Sequence, residues 1–458
     1  MRASLVMTPA QWDTLYQHLH ESESEERFAV LLVGHSRSRG AISLLCHKVV
    51  PYTDARLVDT SMGIRLSPEG IVHMMNLANT AGTGIVEVHS HVGPSRGVAF
   101  SSTDIRGHAE IVPFALPELP NGCCYGSVVT GSESASGMVW ETPEDEPVPF
   151  EGIQKAGLAQ PTNTEHKSPI RVGESRRYTR QVTLLGKVGQ KLIEETRVGI
   201  VGLGGTGSIV ARTLAYEGVR SFVLIDPDVV ELSNLNRLDG SRRWDVWFGR
   251  KKAKVLRREI RRIAPGSDVV VIPKSLFTKK ALSALKRVDV LFGCTDNDAT
   301  RLCLNELSAG YVKPYIDMGS GIETSEGRTR QAGARLAVVL PGEGCLLDAK
   351  AVDLKQVGYE LSDPAMQELA REEGYVSGAE VAAPSVMSLN QTIASLAVTE
   401  FKALVTHMRP PFRLMYYDLL EGTLHPVDFQ KNGDCVVCND HLGKGDLLSL
   451  GKRYAEAD

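Results

Sequence analysis

The sequence predicts an α/β protein of two domains, the second of which is built on a doubly wound, mostly parallel sheet. Strand-like and helix-like segments alternate between residues 197 and 318, and this alternation is typical of a parallel sheet with helices on both faces. A glycine cluster at 202–207 joins the first of these strands to a helix, as a tight strand-to-helix turn requires. The preceding segment, 141–175, holds five prolines among polar residues, which indicates a linker.

The prediction therefore divides the chain into an N-terminal α+β domain at 1–145, a linker at 146–175 and the doubly wound domain at 176–458. In the first domain, strands are expected at 28–34, 41–50 and 84–91. In the second domain, the strands are expected at 197–202, 221–226, 268–273, 288–294 and 313–318, and the helices at 206–217, 250–263, 278–286 and 298–310. A long helix at 386–405 and a strand at 414–420 close the domain.

The composition argues against several classes of function. The chain has 51 Lys and Arg against 55 Asp and Glu, a net charge of −4, so we expect no nucleic-acid partner. No apolar run reaches the roughly 18–20 residues that span a bilayer, and the N-terminus leads into a polar helix rather than a secretory segment. The eight cysteines are scattered except for Cys123-Cys124 and Cys435-x-x-Cys438, which favours reduced thiols and a cytoplasmic location without membrane contact.

The glycine cluster and an acidic pair after the next strand predict a nucleotide site. The glycines let the backbone approach a phosphate closely, so that the following helix can direct its amides at an anion. They are Gly202, Gly204, Gly205 and Gly207. Asp226 and Asp228 end the next strand, where a carboxylate suits ribose hydroxyls or magnesium. Enzymes that bind nicotinamide cofactors carry similar loops, so the class of enzyme has to be inferred from the surrounding motifs.

Four short motifs surround the glycine cluster. They are Arg177-Tyr178-Thr179-Arg180-Gln181 before the first strand, Asn234-Leu235-Asn236-Arg237 after the acidic pair, Gly249-Arg250-Lys251-Lys252-Ala253 at the next helix and Cys294-Thr295-Asp296-Asn297 after the fourth strand. Together they resemble the ThiF/MoeB and ubiquitin-activating enzyme superfamily, from about Arg176 to Asp440. The resemblance implies a Rossmann-like domain that binds ATP and magnesium and adenylates the C-terminal glycine of a ubiquitin-like or sulfur-carrier protein. A dehydrogenase is disfavoured, since two of these motifs have no role in hydride transfer.

The resemblance assigns roles around the pocket. Asp226 would bind the ribose hydroxyls, Arg237 and Lys252 the phosphates, and Asp296 magnesium, with Asn234 near the phosphates. Attack of a carboxylate on the α-phosphate builds negative charge on phosphate oxygens, which cations there stabilise. We therefore expect these five residues to act directly on the nucleotide.

Two further positions carry broader expectations. Asp228 would either help to hold the metal or cap the turn after its strand. Arg180 matches the superfamily's N-terminal arginine, which the partner subunit often contributes to the active site. The resemblance therefore also implies a catalytic role for Arg180 and a homodimer formed through this domain.

A second constellation lies in the N-terminal half. His89 and His91 are two residues apart in a predicted strand and therefore share one face, and Ser101-x-x-Asp104 follows a glycine-containing loop. Two imidazoles and one carboxylate suit zinc, with the fourth position open for water. Such a metal lowers the pKa of its water and polarises a carbonyl, as amide hydrolysis needs. Glu26 is the candidate general base.

This spacing resembles the JAB/JAMM (MPN) metalloprotease family, whose members with the motif cut isopeptide or peptide bonds at the C-terminus of ubiquitin-like proteins. The roles implied are zinc ligands at His89, His91 and Asp104, a base at Glu26 and oxyanion stabilisation by Ser101. Two features depart from the family pattern: Val92 stands where proline is usual, and the gap between the second histidine and the serine is longer. Glu25 or Glu23 could replace Glu26, because one sequence does not fix the strand register.

The cysteine positions of the second domain differ from the superfamily pattern in two places. Cys435 and Cys438 resemble half of a structural zinc site that the superfamily often builds from two Cys-x-x-Cys pairs, but the earlier pair here is Cys345 and Asp348. A Cys3Asp zinc site and packed free thiols both remain open. The segment 374–385, where activating enzymes carry a thioester cysteine, has none. The reaction would then stop at the acyl-adenylate or use another acceptor such as Ser377, which is a poor nucleophile unless activated.

The sequence thus predicts a bifunctional enzyme. It would adenylate the C-terminal glycine of a ubiquitin-like protein with ATP and would process or remove that protein by zinc-dependent (iso)peptidase activity, in a bacterial ubiquitin-like modification pathway. If transfer to a target follows, a conjugating enzyme would be a further partner. The first alternative is activation of a sulfur carrier to a thiocarboxylate for cofactor, cysteine or siderophore-type biosynthesis, which the missing cysteine favours. The second alternative is a binding module with degenerate sites.

Overall fold

A computed structural model describes residues 1–454 except 23, 39, 54–55, 61–62, 93–96, 157–175, 326–327, 364 and 369–384. Glu23, Ser377 and most of the predicted linker lie outside the described residues. Within them, the chain forms a closed barrel in its N-terminal part and an open eight-stranded sheet in its C-terminal part. No helix in the described ranges combines the length and the apolar character needed to cross a bilayer.

The N-terminal part is a closed barrel of seven strands with helices packed against it. Its strands are β1 (Arg2–Met7), β2 (Phe28–Ser38), β3 (Ala41–Tyr52), β6 (Gly84–Ser90), β7 (Tyr125–Thr130), β8 (Ala135–Trp140) and β9 (Val148–Lys155), and β4 (Leu57–Thr60) and β5 (Gly63–Leu66) form a separate hairpin. The barrel order is β1-β3-β2-β6-β7-β8-β9, and β9 pairs back onto β1. The helices are α1 (Pro9–Leu19), α2 (Pro68–Ala81) and α3 (Ser102–Ala115), with a 3-10 turn at Leu116–Glu118.

Local sequence explains where these helices begin. Thr8, Ser67 and Ser101 each accept a hydrogen bond from the amide three residues on, which satisfies an otherwise unpaired donor of the first turn. Strand β6 is buried along its whole length, because its two faces contribute to different cores. Val86 packs with the strands of the barrel interior, whereas Ile85 packs under α2 and α3.

The structure confirms one prediction for this part, adds a strand and corrects a boundary. The helix expected after the N-terminus is α1, capped by Thr8, and ahead of it Arg2–Met7 forms strand β1, with every second residue buried, a period-two pattern that the sequence analysis did not identify. The linker does not begin at 146, because Val148–Lys155 pairs with β8 and β1 as strand β9. Proline is tolerated at the start of a strand, and Pro149 lies there, so the prolines of this segment do not mark a linker throughout.

The C-terminal part is an eight-stranded sheet flanked by helices. Its strands are β10 (Arg197–Val201), β11 (Ser221–Ile225), β12 (Asp268–Ile272), β13 (Val290–Gly293), β14 (Tyr315–Ser325), β15 (Arg328–Val339), β16 (Leu414–Asp418) and β17 (Thr423–Val427). The order is β12-β11-β10-β13-β14-β15-β16-β17. The first five strands in this order are parallel, and the remaining pairings are antiparallel.

The helices of this part confirm the predicted α/β architecture. They are α4 (Thr179–Glu195), α5 (Gly205–Glu217), α6 (Arg243–Trp247), α7 (Lys252–Ile263), α8 (Lys279–Leu285), α9 (Asp298–Tyr311), α10 (Leu354–Glu360), α11 (Met387–Thr406), α12 (Val436–Asn439) and α13 (Leu450–Tyr454), with 3-10 turns at Leu232–Asn234 and Asp446–Leu448. Helices α5, α7 and α11 share a core with one face of the sheet, and α8 and α9 share a core with the other. Every strand and helix predicted for this part has a counterpart.

A short C-terminal segment joins the two parts. Strand β2 runs past the end of its pairing with β6, and there the Gly34 amide donates to the Gly443 carbonyl at 3.0 Å. Asp446 follows and accepts hydrogen bonds from the Arg37 amide and the Tyr311 hydroxyl, each at 2.8 Å, and from the Lys286 ammonium. The partners of this one carboxylate therefore come from both parts of the chain.

Replacing Asp446 with alanine should loosen this junction. The substitution removes three hydrogen bonds, two of them from neutral groups and one from an ammonium, and losing charge-assisted bonds of this kind costs about 2–3 kcal/mol. We expect a thermal midpoint several degrees below that of the parent chain. Asp440→Ala is the matched control, because Asp440 is exposed in the same segment and forms no ion pair with another described residue. An Asp446→Ala midpoint equal to that of the control would contradict the anchoring role.

Candidate functional site

The nucleotide-site residues meet at the carboxyl edge of the parallel strands. From β10 the chain passes to β11 and β12 on one side, and it then crosses back to β13 and β14 on the other. The loops that follow β10 and β13 consequently diverge and leave a crevice between them. Ligands of open α/β sheets bind at such a switch point.

The glycine turn after β10 is closely packed on one side and open on the other. Gly202 has a φ of +83°, and a Cβ there would lie 2.6 Å from the Cys294 carbonyl oxygen. A Cβ at Gly207 would collide with the Gly202 carbonyl. Gly204, in contrast, faces open space, with no atom within 4 Å of a Cβ built there. The first turn of α5 therefore starts at an open volume that can admit a phosphate.

Asp226 directly follows β11 and is 5% exposed. One of its oxygens accepts the Leu203 amide at 2.7 Å, and the other accepts the Asp228 amide at 2.8 Å. Burial raises the pKa of this carboxyl, while the hydrogen bond from Leu203 and the charge of Lys252 act in the opposite direction. The carboxylate is thus fixed beside the glycine turn, with lone pairs remaining for ribose hydroxyls.

Arg237 brings a positive charge to the glycine turn. Its Cδ lies 3.5 Å from a Cβ built at Gly205. Its guanidinium donates to the Ser233 carbonyl and to the Asn236 carboxamide oxygen. Among the described residues, no carboxylate forms an ion pair with it. Because its partners are neutral, no carboxylate offsets the charge of this half-buried guanidinium, and it can pair with an incoming phosphate.

Lys252 opens α7 and is held by Asp228. Its ammonium lies 2.8 Å from the Asp228 carboxylate, and its amide donates to the Asp228 carbonyl at 3.0 Å. Asp228 is exposed, whereas the Lys252 side chain is only 12% exposed. Beside the two roles expected for Asp228, metal ligand and turn cap, the structure shows this third one as the ion partner of Lys252.

Asp296 and Asn234 occupy different environments. Asp296 is exposed on the loop after β13, and this loop starts beside β10, because the Cys294 amide donates to the Val201 carbonyl at 2.8 Å. No hydrogen bond or ion pair links the Asp296 carboxylate to another described residue. Asn234 is buried, and its carboxamide oxygen accepts the Glu231 amide at 3.1 Å. Asn234 therefore shapes the turn that presents Arg237.

The structure does not bring Arg180 into this pocket. Arg180 is exposed in the first turn of α4, and the next side chain, Gln181, donates to the Glu217 carbonyl at the C-terminal end of α5. The glycine turn lies at the other end of that helix, roughly 20 Å away for thirteen residues at 1.5 Å each. Within one chain, Arg180 therefore cannot contact a phosphate at the glycine turn.

Asn390 belongs to the site but was missed by the sequence analysis. It lies on α11, is 2% exposed and packs against Gly205. Its carboxamide oxygen accepts the Ser320 hydroxyl at 3.2 Å, and its nitrogen donates to Ser385 at 2.9 Å. The available signal is an asparagine among the apolar residues of a buried helix, but its proximity to the glycine turn depends on tertiary structure.

The structure also brings the residues of the second constellation together. The Nε2 atoms of His89 and His91 are 3.2 Å apart. Asp104 directs one carboxylate oxygen to each ring, at 3.4 Å from His89 and 3.3 Å from His91. Ligand atoms about 2.0–2.2 Å from a tetrahedral zinc lie about 3.3–3.5 Å from one another. Each of the three side chains offers one donor atom, and these atoms lie within 4.8 Å of one another, so the cluster could hold a metal ion such as zinc.

Ser101 holds Asp104 in place. The Ser101 amide donates to Asp104 at 2.6 Å, and the Ser101 hydroxyl oxygen accepts the Asp104 amide at 3.1 Å. Burial opposes ionisation of Asp104, but the hydrogen bond and charge of His89, together with the bonds from Ser101, outweigh it and lower the pKa of this carboxyl. Asp104 is thus kept as a carboxylate, and the exposed Ser101 hydroxyl retains a proton to donate.

Strand register favours Glu26 as the neighbouring base. Phe28 of β2 pairs with His89 of β6, and Arg27 exchanges hydrogen bonds with Ser90 beyond it. Continuing this register puts Glu26 opposite His91 and on the same face. Glu25 is one residue out of step, is exposed and pairs with Arg27. Glu23 lies outside the described residues.

Four residues near the C-terminal end of the chain, here called the cysteine cluster, also come together. The potential ligand atoms of Cys345, Asp348, Cys435 and Cys438 lie within 4.8 Å of one another. The sulfurs of Cys345 and Cys435 are 3.7 Å apart, close to the roughly 3.8 Å expected for two thiolates on a tetrahedral zinc. The hydrogen bond from Cys438 lowers the pKa of Cys345 to about 6, against burial, which raises it. The donor set therefore fits a Cys3Asp zinc site.

The described cysteines beside the nucleotide pocket are unsuited to accept an acyl group. Burial raises the pKa of both the Cys294 and the Cys303 thiol, and a protonated thiol is a weak nucleophile. Ser377, the other acceptor considered, lies outside the described residues. The sequence has no cysteine between Cys345 and Cys435.

Comparison with known proteins covers the C-terminal part. The model of the ThiF family matches residues 178–437. The molybdopterin-synthase adenylyltransferase of Escherichia coli is 28% identical over 58% of this chain and 96% of its own length. The ThiS adenylyltransferase of the same species is 34% identical over 31% of this chain and 56% of its length. The adenylyltransferase and sulfurtransferase MOCS3 of Xenopus laevis is 29% identical over 58% of this chain, which spans about half of that protein, 53%.

Proposed function

The chain belongs to the ThiF family, and we propose from this membership and the site geometry that its C-terminal domain adenylates the terminal carboxylate of a small ubiquitin-like sulfur carrier. The observation that carries the proposal is Arg237, whose side chain lies beside Gly205 of the glycine turn and whose guanidinium is bonded only to neutral acceptors among the described residues. Such a charge is available to a phosphate rather than committed to a structural ion pair.

Four residues of the pocket have a direct role in this reaction. The carrier's carboxylate oxygen attacks the α-phosphorus of ATP, the bond to the β-phosphate oxygen breaks, and pyrophosphate leaves. Arg237 and Lys252 offset the negative charge that builds on the phosphate oxygens. Asp226 accepts hydrogen bonds from the ribose, and the exposed Asp296 would hold the magnesium that neutralises the phosphates.

Two observations favour a sulfur carrier over a protein modifier. The similar adenylyltransferases are named for molybdopterin synthase, for ThiS and for a combined sulfurtransferase activity. The chain also lacks a cysteine between Cys345 and Cys435 that could take the acyl group as a thioester. The acyl-adenylate is then the product that leaves this chain, and a sulfur donor elsewhere would displace AMP to form a thiocarboxylate. A modifier pathway with a conjugating enzyme is the competing proposal.

Arg180 bears on the oligomeric state of the enzyme. It cannot reach the glycine turn of its own chain, since α5 separates the two. A homodimer would allow the Arg180 of one protomer to enter the pocket of the other. We therefore retain the homodimer as part of the proposed function.

A specific observation supports a second activity. His89, His91 and Asp104 bring two imidazole nitrogens and one carboxylate oxygen within 4.8 Å of one another, a donor set that suits zinc. A zinc ion held there would supply a water of lowered pKa and would polarise a carbonyl. Glu26 would remove a proton from the attacking water, and the Ser101 hydroxyl would donate to the carbonyl oxygen. The proposed reaction is peptide or isopeptide hydrolysis at the tail of the same carrier, by a JAMM-like domain.

Intact mass spectrometry of candidate carriers, incubated with the enzyme and ATP, tests both activities at once. Adenylation adds AMP to the carrier, and hydrolysis shortens a carrier whose tail extends past its terminal glycine. We expect Asp296→Ala to abolish AMP attachment and leave shortening intact. Attachment of AMP that survives both Asp296→Ala and Arg237→Ala would refute the adenylation site. Transfer of the carrier onto lysines of another protein would favour the modifier pathway.

A further inference from the structure

A buried polar network lies directly beneath the His89–His91–Asp104 cluster. One oxygen of Glu87 lies 3.0 Å from His108 Nε2, and the other accepts the Tyr125 hydroxyl at 2.9 Å. The same His108 nitrogen is 2.9 Å from the Ser127 hydroxyl. All four side chains are buried, Glu87 at 8% exposure and His108 at 6%. Nothing in either proposed reaction uses them.

The Glu87–His108 pair links the same strand and helix that the metal ligands link. Glu87 and His89 are two residues apart on β6 and therefore share a face. Asp104 and His108 are four residues apart on α3 and therefore also share a face. Strand and helix are consequently joined twice, by His89 with Asp104 at 3.4 Å and by Glu87 with His108 at 3.0 Å.

The second of these links is the buried anchor of the part of α3 that carries Asp104. The buried residues of α3 are His108, Val112 and Ala115. Val112 and Ala115 lie in its C-terminal half, so His108 alone fixes the N-terminal half to the barrel through a buried side chain. Asp104 itself is half-buried, and it also forms two capping hydrogen bonds with Ser101 at the start of the helix.

We propose that Glu87 and His108 are positioning residues that hold Asp104 in register with the two histidines, a proposal that rests on the proposed metal site. A hydrogen-bonded pair beneath a ligand fixes where the ligand can lie, and loss of such support lowers metal affinity by about 10- to 100-fold. The carboxylate of Glu87 is also costly to bury without a partner, so removing His108 would drive Glu87 to move or to admit water.

Zinc affinity of the full chain, measured by competition with a chromophoric chelator, tests the proposal. The same titration on the His89→Ala/His91→Ala chain is subtracted, which removes any zinc held by the cysteine cluster. We expect Glu87→Leu and His108→Leu to weaken the remaining affinity by about 10- to 100-fold. Glu87→Gln keeps an acceptor oxygen and should lose less.

A double-substitution cycle distinguishes positioning from general loss of structure. If Glu87 acts through Asp104, then Glu87→Leu should cause little further loss of zinc affinity in an Asp104→Ala chain. Glu110→Gln is the matched control, because Glu110 is exposed on the same helix, and it should leave the affinity unchanged. Should a leucine variant fail to fold, Glu87→Gln and His108→Gln serve in the same cycle.

The outcomes separate this proposal from the metal site on which it rests. If the parent chain and the His89→Ala/His91→Ala chain bind equal amounts of zinc, the metal site is refuted and the positioning role with it. If the parent binds more zinc but the Glu87 and His108 variants keep its affinity, the positioning role alone is refuted. Equal losses with and without Asp104 would also overturn it.

Discussion

Arg237→Ala should lower carrier-dependent exchange between ATP and pyrophosphate by about a hundredfold to a thousandfold, the loss typical of removing one preorganised group that stabilises transition-state charge. Arg237 has no carboxylate partner among the described residues, so the substitution strands no buried acid and should leave stability nearly unchanged. The measurement is the rate of label transfer from pyrophosphate into ATP at saturating carrier. The thermal midpoint of each variant confirms that it is folded.

The control for this prediction is Arg243→Ala. Arg243 is exposed in the first turn of α6, lies close to Arg237 in sequence and forms no ion pair with another described residue. Its loss should leave exchange at the parental rate. Arg237→Lys should fall between the two, because an ammonium keeps the charge but not the planar fork that contacts two oxygens. If Arg237→Ala exchanges as fast as Arg243→Ala, the phosphate at which charge develops is not at the glycine turn.

The parallel sheet was predictable because its strands are short apolar runs separated by glycine, proline and polar helices. Strand β10 and strand β13 are buried on both faces, so nearly every residue is apolar and the pattern is unambiguous. Strand β9 was not predictable in the same way. It has alternating exposed residues and a proline near its start, and this composition is equally typical of a linker.

The site residues also differ in whether a local sequence pattern predicts their position. Residues that come within a few positions after a parallel strand, such as Asp226 and Asp296, are placed by the parallel topology itself, because the carboxyl ends of parallel strands meet at one edge of the sheet. Asn390 and Arg180 are placed by the packing of helices far apart in sequence, for which no local pattern exists. His89, His91 and Asp104 lie between these cases, since strand alternation fixes the two histidines but only the docking of α3 brings the aspartate to them.

His89→Ala should remove about one zinc ion per chain and abolish shortening of an extended carrier tail, while AMP attachment continues at the parental rate. Two protein ligands hold zinc much more weakly than three, so occupancy and hydrolysis should be lost together. The measurements are zinc content after equilibration with a weak chelator and intact mass of the carrier. The His73→Ala chain is the control, because His73 lies in the same domain and bonds Tyr52 rather than a ligand.

This prediction also requires the two activities to be independent of each other. His89 lies on the barrel and Arg237 lies at the sheet edge of the other domain, and the two share no hydrogen-bond or ion-pair partner among the described residues. Parallel loss of AMP attachment in His89→Ala would show that the barrel is needed to present the carrier to the adenylation pocket, and the proposed assignment of one reaction to each domain would fail. Retention of zinc by His89→Ala, with the cysteine cluster accounted for, would instead remove the metal site and leave the barrel as a carrier-binding domain.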